Sequence, residues 1–284
     1  MKRIRTGNGF LARITAVIVG IATLITPISA PAQGDLLIAP TRLILDGRRG
    51  GQVILSNIGE KEATYRITME LRRMTAEGGL EDVPEDEANS IEQAALAMVR
   101  YAPRRITLPP DQPQAVRISA RPPAELPDGE YRIHLAFNAV PESRPVVGHE
   151  AGAGSGTGLA IRLIPIYGIT MPIIIRKGQV TATAGIANPR IEARPQGGSA
   201  LALDLSRSGN GSTFGEIRVT RQGGDEPLYL ARGIAIYPEI DGRKLYLPLT
   251  KEQAASLKGA LRFEYRETSE NGGGLLAAVE AVIP

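Results

Sequence analysis

The chain has 284 residues, with no cysteine and no tryptophan. Disulfides, thiolate metal sites and cysteine nucleophiles are therefore excluded, and two histidines leave little from which to build an imidazole metal centre. Basic and acidic residues number 33 and 30, but Lys2, Arg3, Arg5 and Arg13 sit in a leader-like start; beyond it the balance is 29 to 30, which gives no support for nucleic-acid binding.

Those four basic residues precede the apolar run Ile14 to Ile25 and small residues ending in Ala30-Pro31-Ala32. This is the order of a secretory signal peptide covering residues 1–32, with cleavage after Ala32. The competing reading is a membrane anchor; the run is short for a bilayer span of about 20 residues and is diluted by Thr15, Thr23 and Thr26. No other apolar stretch is long and unbroken enough to span, so a soluble exported protein without stable membrane insertion is expected. The remaining stretch, about 250 residues, is comfortable for two domains. The whole chain's 32 glycines and 21 prolines, with many short Val/Ile/Leu alternations, favour an all-β class.

Leu36 to Leu45 reads as a strand interrupted at Pro40 and turned by Asp46-Gly47, followed by strands at Gln52 to Ser56 and Ala63 to Arg72, all expected as consecutive antiparallel hairpins. The acidic run Glu81 to Glu87 could in principle do acid/base work or bind calcium, but reads as a solvated loop. Ser90 to Arg100 has helical spacing, with Ser90 as the expected N-cap. Arg104 to Leu108 and Ala115 to Ser119 read as a further hairpin across Pro109-Pro110-Asp111. Glu130 to Ala139 is a strand that ends at Pro141.

From Leu159 to Ile175, LAIRLIPIYGITMPIII, large apolar residues open at every second position and Pro165 and Pro172 exclude a central helix. The stretch follows a glycine-rich loop, Gly148 to Gly158, read as a tether, and an edge strand is expected because edges tolerate proline. Only Arg162 carries charge in it, whereas natural edges are usually blunted by charge. The expectation is an edge left exposed for docking a partner's β-structure. Beyond Lys177 seven more short strands, from Val180 to Val282, suit a second sandwich over 177–284.

The search for catalysis is unrewarding. His134 lies in an alternating strand and reads as a structural residue, His149 lies in the glycine loop, and no G-x-S-x-G elbow frames a serine. The glycine loop lacks the G-K-[ST] and the following helix of a phosphate-binding loop. The expectation is a protein that is not an enzyme and has no cofactor.

Several pieces in order carry a family resemblance: Pro40-Thr41-Arg42; Val53-Ile54-Leu55-Ser56-Asn57; Pro103-Arg104-Arg105-Ile106-Thr107-Leu108-Pro109 with Val116-Arg117-Ile118; Leu126-Pro127-Asp128-Gly129-Glu130-Tyr131; and Val140-Pro141. Together they resemble the periplasmic pilus chaperones of the chaperone-usher class, with the wording around Glu130 to Leu135 closer to its non-archetypal branch. The resemblance covers most of residues 35–176.

It implies an all-β fold of two immunoglobulin-like β-sandwich domains arranged in an L, 33–176 carrying the subunit-binding edge strand and 177–284 following. It also implies a periplasmic location and two partners, pilus or fimbrial subunits and an outer-membrane usher. The implied mechanism is donor-strand complementation, with Leu159, Ile161 and Leu163 lent to a subunit that lacks a strand; donor-strand complementation is itself a named example of β-augmentation. Arg42 falls at the family's cleft arginine, which holds the subunit's terminal carboxylate. The cleft lysine is unmatched: Tyr167 stands there, so Arg162 substitutes from nearby or anchoring leans less on the terminus. Glu130 and Glu270 occupy the acid positions of the family's interdomain salt bridge, with Met171 at the arginine position. When free, such a chaperone is expected as a small self-capping oligomer. The alternative from another class is a structural or adhesive cell-surface sandwich protein whose edge pairs with itself.

Overall fold

The computed structural model describes residues 36–141, 166–195, 197–269 and 272–284; the signal-like start, residues 142–165 and Glu270 lie outside them. The first apolar run serves two sheets. Its strand β1 (Leu36–Ala39) pairs antiparallel with β3 (Gly51–Asn57), while β2 (Leu43–Leu45), past a cis Ala39–Pro40 bond, pairs parallel with β10 (Gly168–Lys177). Proline lacks an N–H and cannot hold a ladder, so the break at Pro40 is where the chain changes sheet.

The remaining strands of the first sandwich are β4 (Ala63–Met74), β5 (Leu80–Val83), β6 (Val99–Ala102), β7 (Arg105–Leu108), β8 (Gln114–Ala120) and β9 (Gly129–Val140). One sheet runs β1-β3-β8-β6, and the other β2-β10-β9-β4-β5 with β7 also on β4. The expected hairpins are therefore corrected. β3 and β4 fall in different sheets, as do β7 and β8, each turn carrying the chain across the sandwich. Alternation fixes which residues form a strand, but the partner is set by which faces can be buried together. Val53 and Leu55, Tyr65 and Ile67, Val116 and Ile118, Ile133, Leu135 and Phe137, and Met171, Ile173 and Ile175 point inward and make one core.

The second sandwich has sheets β11-β12-β15 and β14-β13-β16-β17, built from β11 (Ala182–Ala193), β12 (Ser199–Gly209), β13 (Thr213–Arg221), β14 (Pro227–Ile236), β15 (Gly242–Leu249), β16 (Gly259–Arg266) and β17 (Leu275–Ile283). Leu201, Leu203, Ile217, Val219, Leu261, Phe263 and Tyr265 are its fully buried centre. The fold is all-β, two immunoglobulin-like sandwiches with two short helices.

Helix α1 (Ser90–Met98) is capped by Asn89, not Ser90: Asn89 accepts from the Glu92 N–H while the Glu92 carboxylate accepts from the Asn89 N–H. Helix α2 (Lys251–Ser256) has the same reciprocal cap between Thr250 and Gln253. Part of the acidic run is β5, paired with β4 from Leu71 to Met74.

Two buried polar groups depend on their surroundings in opposite ways. Arg207, 5% exposed, donates to the carbonyls of Gly209, Gly211, Pro238 and Ile240 and to Asp241 Oδ1, tying the β12–β13 and β14–β15 connections together. His134 is 2% exposed, and among the described residues neither ring nitrogen has a hydrogen-bond partner. It lies opposite Pro172 on β10 and Glu70 on β4. Burial, with Arg132 and Arg72 nearby, lowers its pKa to about 3.

Arg207→Ala strands four carbonyls and is expected to cost about 3 kcal/mol or more in urea unfolding; a loss below 1 kcal/mol contradicts the hub. For His134 the native pKa lies below the ordinary 6.5, so the unfolded chain takes up a proton that the folded chain refuses. Stability should therefore fall as pH drops from about 6.5 towards about 3, by up to about 1.4 kcal/mol per pH unit from this group alone. His134→Leu should flatten that part of the melting-temperature profile. Parallel profiles for the two proteins would contradict it.

Candidate functional site

The two edges of the sheet β2-β10-β9-β4-β5 are treated differently. β5 is four residues long and carries Glu81 and Asp82, with Glu85, Asp86 and Glu87 just after it, which is how sheets discourage further pairing. β10 pairs with β9 over its whole length from Gly168 to Lys177, but β2 covers its other side only at Ile173, Ile174 and Ile175. From Gly168 to Pro172 no described strand lies on that side.

The ladder identifies which backbone groups are open. The Tyr167 carbonyl accepts from the Ala139 N–H at 2.9 Å, which makes that pair a hydrogen-bonded one. In an antiparallel ladder the pairs alternate, so Ile169 and Met171 bond to β9 while Gly168 and Thr170 turn their N–H and C=O groups outward. Pro172 falls on the outward parity, where its missing N–H costs the β9 ladder nothing.

The side chains tell the same story. Ile175, Ile173 and Met171 are at most 2% exposed in the first core, but Ile169 and Tyr167, the next two on that face, are 38% and 51% exposed. The inward row thus runs past the end of the protein's own core. On the opposite face Ile174 is sealed against Met74, Ala235 and Tyr237, where the second sandwich covers the strand.

Arg42 stands one residue before β2, at the point where cover of the β10 edge stops. Its Nη2 donates to Ser212 Oγ at 3.0 Å and its guanidinium lies 4.3 Å over the Phe214 ring, both in the second sandwich. Its Nε is buried without an acceptor among the described residues. Burial pushes its pKa below the usual arginine value, partly offset by Tyr237 and Glu130, and among the described residues no carboxylate forms an ion pair with it. A guanidinium held charged in such a place is a ready receptor for a carboxylate.

Glu130, 7% exposed, opposes Arg176 in the β9–β10 ladder. Its Oε2 accepts from Arg176 Nε at 3.3 Å and from the Ser212 N–H at 3.2 Å, so one carboxylate bridges both sandwiches. Arg132 adds a second tie, lying 3.5 Å over the Tyr237 ring and pairing with Glu239, which also accepts from the Met74 N–H at 2.8 Å.

The residues singled out in the sequence separate accordingly. Arg42 and Glu130 meet at the junction through Ser212. Leu159, Ile161, Arg162, Leu163 and Glu270 lie outside the described residues, as does His149. Tyr167 is five positions from Pro172, on the order of 17 Å along the strand, and its backbone is engaged at the far end of β9, so it is not brought to Arg42. Met171 packs in the first core, and the arginine beside Glu130 is Arg176. Ser212, Phe214, Tyr237 and Glu239 were missed; they are about 170 residues or more from Arg42 in sequence, and no local pattern joins them. Among the described residues no cluster of three or more His, Asp or Glu could hold a metal ion.

No protein-family model and no curated protein matches the chain. Solved structures do. One is the CsuC–CsuE chaperone and tip adhesion subunit pre-assembly complex from the archaic chaperone-usher Csu pili of Acinetobacter baumannii, at 11% identity and TM-score 0.45, with 88% of this chain and 99% of that one covered. Another is the Salmonella enterica SafA pilin in complex with the SafB chaperone, at 16% identity and TM-score 0.45, covering 89% and 98%. A third is the E. coli chaperone DraB, at 14% identity and TM-score 0.45, covering 88% and 96%. In backbone course the chain is similar to these chaperone structures.

Proposed function

We propose that this protein is a periplasmic chaperone, not an enzyme, that caps fimbrial subunits by lending them the open part of its edge strand and hands them on to an outer-membrane usher. The observation that carries the reading is the odd-numbered row of β10. It is buried at Ile175, Ile173 and Met171, then continues as exposed Ile169 and Tyr167. In sequence the same parity runs on through Leu163, Ile161 and Leu159. A subunit that lacks one strand would take this row into its own core. Each such side chain buried contributes about 1.5 to 3 kcal/mol, and each ladder bond about 0.5 to 1.5 kcal/mol.

Arg42 gives that pairing a register. A partner strand on the open side of β10 lies on the same line as β2 and meets the chain at the start of β2, where Arg42 stands. A strand arriving there by its C-terminus presents its carboxylate to the unpaired guanidinium. The exposed row also supports subunits as partners over small molecules, since it offers apolar side chains and backbone groups but no enclosed pocket.

Thr170→Pro removes an outward N–H without touching the β9 ladder, and it should reduce recovery of a co-expressed fimbrial subunit by tenfold or more at unchanged melting temperature. Arg42→Ala should likewise abolish recovery, and so should joint serine replacement of Leu159, Ile161 and Leu163. Wild-type recovery with any of these folded variants would contradict the role given to the altered residues. Size-exclusion chromatography tests the class: a small oligomer is expected, and a growing fibre would mark a structural component instead.

A further inference from the structure

The outward face of the sheet β1-β3-β8-β6 carries charge of one sign at one end. The register fixes its members: Gln52 faces Arg117, Arg117 faces Ala102, and Ser119 faces Arg100. The turn at 46–50 lies beside the end of β8, since a Cβ on Gly50 would meet the Ile118 carbonyl at 2.9 Å and one on Gly47 would meet Pro122 at 2.7 Å. Arg48, Arg49 and Arg121 therefore border the same end, and all five arginines are exposed. A shallow groove of about 550 Å³ runs past Arg100 and Arg117, with Gly50, Gln52, Tyr101 and Ser119 also in its lining.

Segments 46–52, 99–102 and 114–121 contain a single acid, Asp46. Its Oδ1 is taken by the N–H groups of Arg48 and Arg49 at 2.9 and 3.0 Å. Several arginines elsewhere sit beside acids: Arg72, Arg73, Arg132, Arg190, Arg262 and Arg266 each pair with a carboxylate. Among the described residues Arg48, Arg49, Arg117 and Arg121 have no such partner. Arg100 is held in place by the carbonyls of Ala97 and Val99, each at 2.8 Å, at the end of α1. The chain past its leader is near neutral, so this segregation is local and not a by-product of net charge.

We infer that this face docks an acidic polypeptide segment lying extended across the sheet. Arg100 and Arg117 are diagonal neighbours on adjacent strands, roughly 7 to 8 Å apart at the backbone. Carboxylates at alternate positions of an extended chain recur about every 6.5 to 7 Å, a matching interval. Arginine forks suit carboxylates, and Gln52 and Ser119 add donors between them. A membrane is disfavoured because the basic end has no outward apolar anchor: the Tyr101 side chain donates to the Ile67 carbonyl at 3.0 Å. Single-stranded nucleic acid is disfavoured because no exposed aromatic offers a stacking platform there. The surface is independent of the open β10 edge.

The test is fluorescence anisotropy of the full-length exported form with a labelled Asp-Ser repeat peptide, beside an Asn-Ser repeat, an oligothymidylate of equal charge and phosphatidylglycerol-containing vesicles. The Asp-Ser peptide should bind, and its affinity should fall steeply between about 0.05 M and about 0.3 M salt. Among the described residues the exposed side chains of Arg49 and Arg117 make no hydrogen bond or ion pair, so R49E/R117E should keep the wild-type melting temperature while losing peptide affinity on the order of tenfold. A Lys-Ser repeat should bind this variant better than it binds wild type. Equal binding of the Asp-Ser and Asn-Ser peptides, an unchanged affinity in R49E/R117E, or tighter binding to the oligonucleotide or the vesicles would each overturn the inference.

Discussion

A β-strand has two lines of backbone donors and acceptors, and in this protein β10 has only one of them fully met. β9 satisfies one side from end to end, while the other is met by β2 at Ile173 to Ile175 and, among the described residues, by no strand from Gly168 to Pro172. Leaving such a line to water is tolerable thermodynamically but hazardous, because any extended chain can complete it. The opposite edge of the same sheet is short and acidic. The contrast within one sheet makes the uncharged edge a feature of the design and not of strand edges in general. The change of sheet at Pro40 produces it, since it ends β1 early and starts β2 late.

The open edge is useful only if it is held still. β10 is pinned on three sides: by β9, by its inward residues in the first core, and by Ile174 against Ala235 and Tyr237 of the second sandwich. Glu130 bridges the two sandwiches by accepting from Arg176 of the first and Ser212 of the second, and Glu239 of the second sandwich accepts from Arg132 and Met74 of the first. A buried carboxylate such as Glu130 is costly to isolate and stable only with its donors in place, so it fixes the geometry of the junction more than it adds to stability. Arg42 gains its position from the same junction, resting on Phe214 and Ser212 while part of its fork stays unspent.

How much of this was legible in the sequence follows from which physics is local. Alternation in Glu130 to Ala139 and the uncharged apolar run from Gly168 to Ile175 are local, and so strands β9 and β10 could be read directly, while Leu159 to Pro165 lie outside the described residues. Strand partners are not local. Pro109-Pro110-Asp111 looks like a hairpin turn, yet β7 joins β4 and β8 joins β3, because each buries a different face. The helix at Lys251 was announced by Thr250 and Gln253, a capping pair overlooked among strands, and Asn89 was a better cap than Ser90 because Glu92 can answer it. At the junction Glu130 was one of the residues singled out, and the arginine beside it is Arg176, directly across the ladder, not the position of Met171. Ser212 and Phe214 meet Arg42 only through the packing of two sandwiches.

The most direct measurement is residue-resolved amide hydrogen exchange of β10, free and with a bound fimbrial subunit. The account predicts that in the free protein the Thr170 amide exchanges far faster than those of Ile169 and Met171, which bond to β9, and that subunit binding slows Thr170 and Gly168 by orders of magnitude. A Thr170 amide already protected in the free protein, or one whose exchange is the same in the complex, would contradict it.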